Sequence, residues 1–255
     1  MENNLEQRRD KILEMLSNDG KVEVNQLSEL FGVSGVMIRR DLTELEKRGL
    51  LTRIHGGAVS SYKTYYNMSF SQRSGTNEAE KKALASYIAN MVDDNDTIMM
   101  NAGTTMLYVF RALSMRKNIS IVTNSIAVAL DAAGNENFNV VLLGGSVNTK
   151  YQFTFGDDAQ RQLRDYHVDK LILSVDGVSA SDGLSTYYNQ EAYLCRQMIE
   201  QAGTSIVVAD YTKIGRNTFV GIAPLEAVDC LVTNKNASNT ETNAIEKLGV
   251  QVALV

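Results

Sequence analysis

Cysteine and histidine are scarce, with two of each in 255 residues. Cys195 and Cys230 stand outside any CxxC spacing, so neither a disulfide framework nor a cysteine-based zinc site is expected. Two histidines are too few for a His-rich centre, and no metal or cofactor is expected. So little cysteine suits a reducing cytoplasm. No apolar run reaches the roughly 18 residues of a membrane span, which excludes a membrane partner. The opening MENNLEQRRD is polar and charged and has no apolar h-region, so secretion is not expected. Two catalytic signatures are missing as well. There is no GxxxxGK[ST] phosphate loop and no GxSxG nucleophile turn.

What is present is ordinary globular composition, 44% hydrophobic and 22% charged, which argues against disorder. The length fits two domains better than one or three. The net charge of −5 is unevenly placed. Residues 1–63 are balanced, with ten basic and ten acidic residues, and the remainder carries the whole deficit. Within 34–63, six basic residues (Arg39, Arg40, Lys47, Arg48, Arg53, Lys63) outnumber three acids (Asp41, Glu44, Glu46). A basic segment in an acidic chain is compatible with nucleic-acid contact, although pairs such as Glu44 and Arg48 also describe a plain solvated helix face.

The hydrophobic spacing predicts a first helix over 5–17, with Ile12, Leu13 and Leu16 on one side. Val24, Leu27, Leu30 and Phe31 mark a shorter second helix, broken at Gly32. Ser34 is placed to cap a third helix whose apolar back is Ile38, Leu42 and Leu45 and which stops at Gly49. Leu50 to Ile54 reads as extended, His55-Gly56-Gly57 as a turn, and Ala58-Val59 as a return strand. Two helices, a tight turn and an Arg-bearing third helix suit a helix-turn-helix with a wing. The third helix needs an apolar back for docking and a polar front for the major groove. Ser34, Gly35, Met37, Arg39, Arg40 and Asp41 are the candidate front, and Arg53 and His55 on the wing are candidates for flanking phosphates or the minor groove. A three-helix interaction bundle with a solvated Arg39-Arg40 pair is the alternative on spacing alone.

Residues 59–77 are polar and Ser-rich and read as a linker, with Tyr62, Tyr65, Tyr66 and Phe70 as its ordering residues. From 78 to 255, helical stretches alternate with short apolar strands near 97–100, 119–122, 140–143, 171–175, 205–209, 230–233 and 250–254. That rhythm predicts a mainly parallel α/β sheet, whose ligands lie at the carboxyl ends of the strands. Polar clusters fall at those ends. Gly103, Thr104 and Thr105 sit between a strand and a helix, where free N–H groups suit a phosphate, although Thr104 as a simple cap fits too. Thr123, Asn124 and Ser125 repeat the arrangement one strand later, and Gly144-Gly145 permits either close ligand approach or a tight turn. Asp176, Gly177, Glu191 and Lys213 add carboxylates for sugar hydroxyls and a cation for an anionic group.

The stretch VEVNQLSELFGVSGVMIRRDLTELEKRGLLTRIHGGAV closely resembles the signature of the DeoR-type bacterial sugar-operon repressors, including IRRDL (Ile38–Leu42) and RIHGGA (Arg53–Ala58). Similarity continues through Arg73, Asn77 and Lys81, then AGTT, TNS, LLGG, the Asp176-Gly177 turn, the helix bearing Glu191, and ADYTKIG. The resemblance implies a winged helix-turn-helix over residues 1–58 and a ribose-5-phosphate-isomerase-like effector domain over 78–255. It also implies double-stranded operator DNA and a phosphorylated sugar as partners, and the strand-end residues above as the effector site. Two positions depart from the family pattern. Met37 stands where Thr is usual, and Asn101 where Asp is usual, so Asn101 joins the candidate effector residues as an extra N–H donor. One recognition helix covers one half-site, so a homo-oligomer is expected. The opposing reading is a sugar-phosphate isomerase with an appended DNA module. Enediol chemistry needs a base and an electrophile, and Val178 to Leu184 offers Asp182 but no lysine, so catalysis is not expected.

Overall fold

The computed structural model describes residues 2–19, 21–47, 50–60 and 68–255. Arg48 and Lys63 of the basic segment, the helix stop at Gly49, and the linker tyrosines Tyr62, Tyr65 and Tyr66 lie outside them. The chain forms two compact units, Met1–Glu78 and Ala79–Val255.

In the first unit, α1 (Glu2–Asp19), α2 (Val24–Phe31) and α3 (Gly35–Lys47) surround a core in which Ile12, Leu16, Leu27, Ile38, Leu42 and Leu45 are fully buried. Helix α2 stops because Gly32 turns left-handed (φ 62°), and Val33 N–H then closes back on Ser28 O at 3.2 Å. Ser34 takes the Met37 N–H on its hydroxyl and the Ile38 N–H on its carbonyl, so α3 starts where its cap lies. The wing is the antiparallel pair β2 (Leu51–Ile54) and β3 (Gly57–Ser60). A strand not foreseen from the sequence, β1 (Lys21–Glu23), pairs with the other edge of β3. Helix α4 (Phe70–Gly75) occupies part of the stretch read as linker, held by a reciprocal cap between Ser69 and Gln72.

The second unit opens on α5 (Glu78–Asn90), β4 (Thr97–Met100), α6 (Thr104–Ala112), β5 (Ile119–Thr123), α7 (Ile126–Ala132) and β6 (Phe138–Leu142). A hairpin of β7 (Ser146–Asn148) and β8 (Phe153–Phe155) precedes α8 (Asp157–Leu163) and β9 (Val168–Ser174). Then come β10 (Gly177–Ser179), β11 (Gly183–Thr186), α9 (Asn189–Glu200), β12 (Ala202–Val208), β13 (Val220–Ala223), β14 (Cys230–Thr233), α10 (Asn239–Glu246) and β15 (Gln251–Leu254). Seven strands form one sheet in the order β15-β14-β12-β9-β4-β5-β6, and every pairing in it is parallel. One face packs on α5, α6 and α7 through Leu84, Ile88, Val109, Phe110 and Val128. The other packs on α8, α9 and α10 through Leu163, Leu194, Met198 and Ile245. Burial on both faces explains why β9 reads as the unbroken apolar run Leu171-Ile172-Leu173. The stretch from Val178 to Leu184, for which the sequence suggested no element, forms the β10–β11 hairpin of a small antiparallel sheet that β13 completes. Hairpin strands this short, paired far along the chain, leave no periodic signal.

The strand order fixes the place of the site. From β4 the chain winds outward through β5 and β6, then returns to the other side of β4 as β9 and continues through β12, β14 and β15. The winding therefore reverses between β4 and β9, and the crevice at their carboxyl ends is where parallel sheets take ligands.

Candidate functional site

On α3 the buried side chains are Ile38, Asp41, Leu42 and Leu45. At 100° per residue, Val36, Arg40, Thr43 and Lys47 occupy the opposite stripe. Ser34, Met37, Arg39 and Arg40 are exposed with it, and Gly35 is half-buried because its would-be Cβ lies 3.3 Å from Val24 Cγ1. Asp41 corrects the sequence reading. It is 1% exposed and points inward, its Oδ2 accepting from Arg8 Nε at 2.8 Å and its Oδ1 from Arg9 Nε at 3.1 Å. An acid on the groove side would repel phosphate, whereas here it fastens α3 to α1. On the wing, Arg53 and His55 are exposed. Arg53 donates from Nη1 to Thr43 Oγ1 at 2.8 Å and from its backbone N–H to Glu46 at 2.7 Å, which couples the wing to the recognition helix.

In the second unit, Asn101, Ala102 and Gly103 follow β4 and lead into α6. The first N–H groups of that helix, at Thr104, Thr105 and Met106, have no intrahelical acceptor, and no side chain caps them at Gly103. Asn101 again departs from expectation. Its side chain is wholly buried and spent inside the protein, accepting the Ser174 N–H at 2.8 Å and donating to Ser174 O at 2.9 Å. It ties the ends of β4 and β9 together rather than offering a donor to a ligand.

Gly103 is extended, so its backbone suits any residue, but a Cβ there would collide with Ser174 Oγ and lie 3.4 Å from Ser174 Cβ. Gly103→Ala is expected to destabilise the domain by about 1–3 kcal/mol through overpacking. Adding Ser174→Ala should restore most of that loss in thermal unfolding, and an unrestored double variant would refute the clash.

Thr123, Asn124 and Ser125 are also consumed largely by the turn. Ser125 Oγ caps α7 through the Val128 N–H, Thr123 Oγ1 accepts the Ser125 N–H, and Asn124 donates to Thr154 O at 3.1 Å. Only Asn124 Oδ1, buried, is left with no protein partner among these groups. Gly144 donates its N–H to Gln162 Oε1 at 3.0 Å. Gly145 has φ 137°, and a Cβ there would lie 2.5 Å from Phe155 O, so this position requires glycine for close backbone packing.

After β9, Asp176 and Glu191 approach a common hydroxyl. Thr186 Oγ1 lies 3.0 Å from Asp176 Oδ2 and 2.8 Å from Glu191 Oε2. A hydroxyl has one proton, so it donates to one of these carboxylates at a time, and Asp176 Oδ2 also accepts the Tyr187 N–H at 3.2 Å. Gly177 beside them begins β10 and is buried. Cys195 stands close by, receiving a 3.7 Å contact from Asn101 Nδ2. Burial first, then the charge of Glu191, pushes its thiol well above the usual range, so it stays protonated and unreactive.

After β12 comes a charge cluster that the sequence reading caught only in part. Asp210 caps the turn Tyr211–Lys213, accepting the Thr212 N–H at 2.9 Å. Burial alone would raise the Asp210 carboxyl, but Lys213, the Thr212 hydroxyl and Lys81 together hold it below the usual carboxylate range. Lys213 is 6% exposed and Lys81 only 1%, so two buried ammonium groups face one carboxylate. Lys81 was legible as an anomaly, because it lies three, four and seven residues before Leu84, Ala85 and Ile88 and so falls in the apolar stripe of α5. Thr186 carried no such signal. Neither did Tyr151, Phe153 and Tyr188, whose rings pack with Ala102 over the turn after β4, with Tyr151 and Tyr188 4.7 Å apart.

Along the sheet edge, neighbouring strands stand about 4.8 Å apart. The order is then the Lys81–Asp210–Lys213 group at β12, the Asp176–Glu191 pair at β9, and the open start of α6 at β4. Asp182, the one acid available to an isomerase reading, is exposed in the β10–β11 turn and occupied by Ser179 and Ser181 hydroxyls. Among the described residues no group of three or more His, Cys, Asp or Glu is placed to hold a metal, and no helix is long and apolar enough to cross a membrane.

A winged helix-turn-helix joined to a parallel α/β unit with a polar crevice at its switch point defines a DNA-binding regulator with a sensor domain. The DeoR-like helix-turn-helix domain family matches residues 8–64, and the DeoR C terminal sensor domain family matches residues 76–235. The chain belongs to the DeoR family of helix-turn-helix transcriptional regulators, and it is a regulator rather than an enzyme. It is 36% identical to the HTH-type transcriptional regulator YulB of Bacillus subtilis, over 98% of this chain and 96% of that one. It is 32% identical to the putative aga operon transcriptional repressor of Escherichia coli O157:H7, over 98% and 93%. With the transcriptional repressor AccR of Agrobacterium fabrum it shares 33% identity over 96% of each chain. Among solved structures, ribose 5-phosphate isomerase A of Methanocaldococcus jannaschii aligns with a TM-score of 0.41 at 18% identity, over 54% of this chain and 55% of that one.

Proposed function

We propose that this regulator represses a carbohydrate-utilisation operon and that a phosphorylated sugar sets its affinity for operator DNA. In this reading residues 1–58 bind DNA, 59–77 link, and 78–255 sense the effector. The observation that carries it is the burial of two lysines, Lys81 and Lys213, beside Asp210 at the carboxyl end of β12. Buried ammonium groups form strong charge-assisted hydrogen bonds, and a phosphate ester is the sugar substituent that suits them. The free N–H groups of Thr104 and Thr105 favour an anion at the same crevice. Asp176, Glu191 and Thr186 then take the sugar hydroxyls, and the Tyr151–Tyr188 rings close the apolar side. The effector changes operator affinity only as far as it prefers one DNA-binding state over the other. Two copies of the chain, each supplying one recognition helix, match a two-fold operator, and a cytoplasmic home follows from the same role.

The test is fluorescence anisotropy of DNA from upstream of its own gene, titrated with protein, with and without a pool of sugar phosphates. Tight, salt-sensitive binding that the pool alters supports the reading, and dividing the pool identifies the effector. Binding that ignores every sugar phosphate would remove the effector half of the proposal.

A further inference from the structure

The front of α3 carries two apolar side chains that its packing does not use. Val36 is 71% exposed and Met37 46%, while Ile38 next to them is fully buried. Val36 stands four residues before Arg40 and Met37 three, so both flank the same guanidinium. Ser34, Arg39 and Arg40 are exposed in the same first turns, Lys47 is exposed at the far end of the same stripe, and Arg53 reaches in from the wing to Thr43. Two of the helix's acids are drawn away. Asp41 is buried with Arg8 and Arg9, and Glu46 accepts the Arg53 N–H. The surround is therefore cationic and hydroxyl-bearing, the complement of a nucleic-acid duplex.

An apolar side chain in such a surround needs an apolar partner on the DNA. In the major groove that partner is the C5-methyl of thymine, since the other base-edge features are hydrogen-bond donors and acceptors. We infer that Val36 and Met37 read thymine methyl groups beside the position that Arg40 engages, so that each operator half-site carries a thymine there. The inference rests on the operator-binding reading above and adds the base feature that is recognised.

Uracil interference tests it. Upstream DNA is prepared with thymine sparsely replaced by uracil, which lacks only the methyl, and is bound to the full-length protein. Bound and free fractions are then cleaved at uracil. At least one thymine per half-site should be depleted from the bound fraction. A synthetic duplex with uracil at that position should bind about fourfold more weakly, the effect of one methyl left unburied. In the Val36→Ala/Met37→Ala double variant, thymine and uracil duplexes should bind alike. Thermal unfolding of that variant should match the parent, because both side chains are exposed.

Uniform representation of all thymines in the bound fraction would overturn the inference while leaving operator binding intact. A methyl effect that persists unchanged in the double variant would also overturn it. Absence of saturable binding to the upstream DNA would instead overturn the operator reading, and this inference with it.

Discussion

Arg40→Ala should lower operator affinity by about ten- to a hundredfold, the range for losing one well-placed guanidinium contact to a base edge. Arg40 lies at the centre of the stripe opposite the core residues of α3 and is exposed. Its removal therefore leaves the packing of Ile38, Leu42 and Leu45 intact. The variant should unfold at the parent's temperature and keep the parent's affinity for effector, which separates lost recognition from lost structure. Comparing operator with unrelated DNA of equal length sharpens the result. If Arg40 reads a base, the operator preference narrows. If it clamps phosphate, both affinities fall together and the salt dependence becomes shallower by about one unit. Operator affinity unchanged within error would remove Arg40 from the interface.

The second large effect belongs to the buried lysines. Lys213→Ala should raise the sugar-phosphate concentration needed for half-maximal release by about ten- to a hundredfold, because hydrogen bonds to charged groups are worth roughly 1.5–3 kcal/mol. Lys81→Met, close in shape and uncharged, should do the same. Effector-free operator binding should persist in both, since neither residue lies on the DNA-binding unit's front. Each variant leaves one lysine against Asp210, so the carboxylate keeps a partner and the fold survives the change. An unaltered release midpoint in Lys213→Ala would take that residue out of the effector site. An unaltered midpoint in both variants would move the phosphate to the start of α6 alone.

Much of this was legible in the sequence. The helices of the first unit follow from apolar spacing, from the stop at Gly32 and from the cap at Ser34. The parallel sheet follows from alternating helices and short apolar runs. The family follows from IRRDL and RIHGGA in register with those elements. Less legible was the fate of individual polar residues. Asp41 and Arg40 are neighbours in a motif, yet one is fastened to Arg8 and Arg9 and the other faces outward. Asn101 reads as an additional donor for a ligand, yet both ends of its amide are used by Ser174. Lys81 shows in the sequence as a charge in an apolar stripe, but nothing local says that Asp210 and Lys213 are what it meets.

The sequence by itself determined two units, the helices and wing of the first, the strands of the parallel sheet in the second, and the strand ends at which polar residues gather. These are local properties, set by periodicity and by the rule that parallel sheets present their carboxyl-end turns together. The tertiary structure alone decided which of those polar residues remain available. Hydrogen-bond partners are chosen by strand order, and the order β12-β9-β4 brings together groups remote along the chain. Asn101 spends its amide on Ser174 inside the protein while Arg40 faces outward, and only the packed structure separates two such residues.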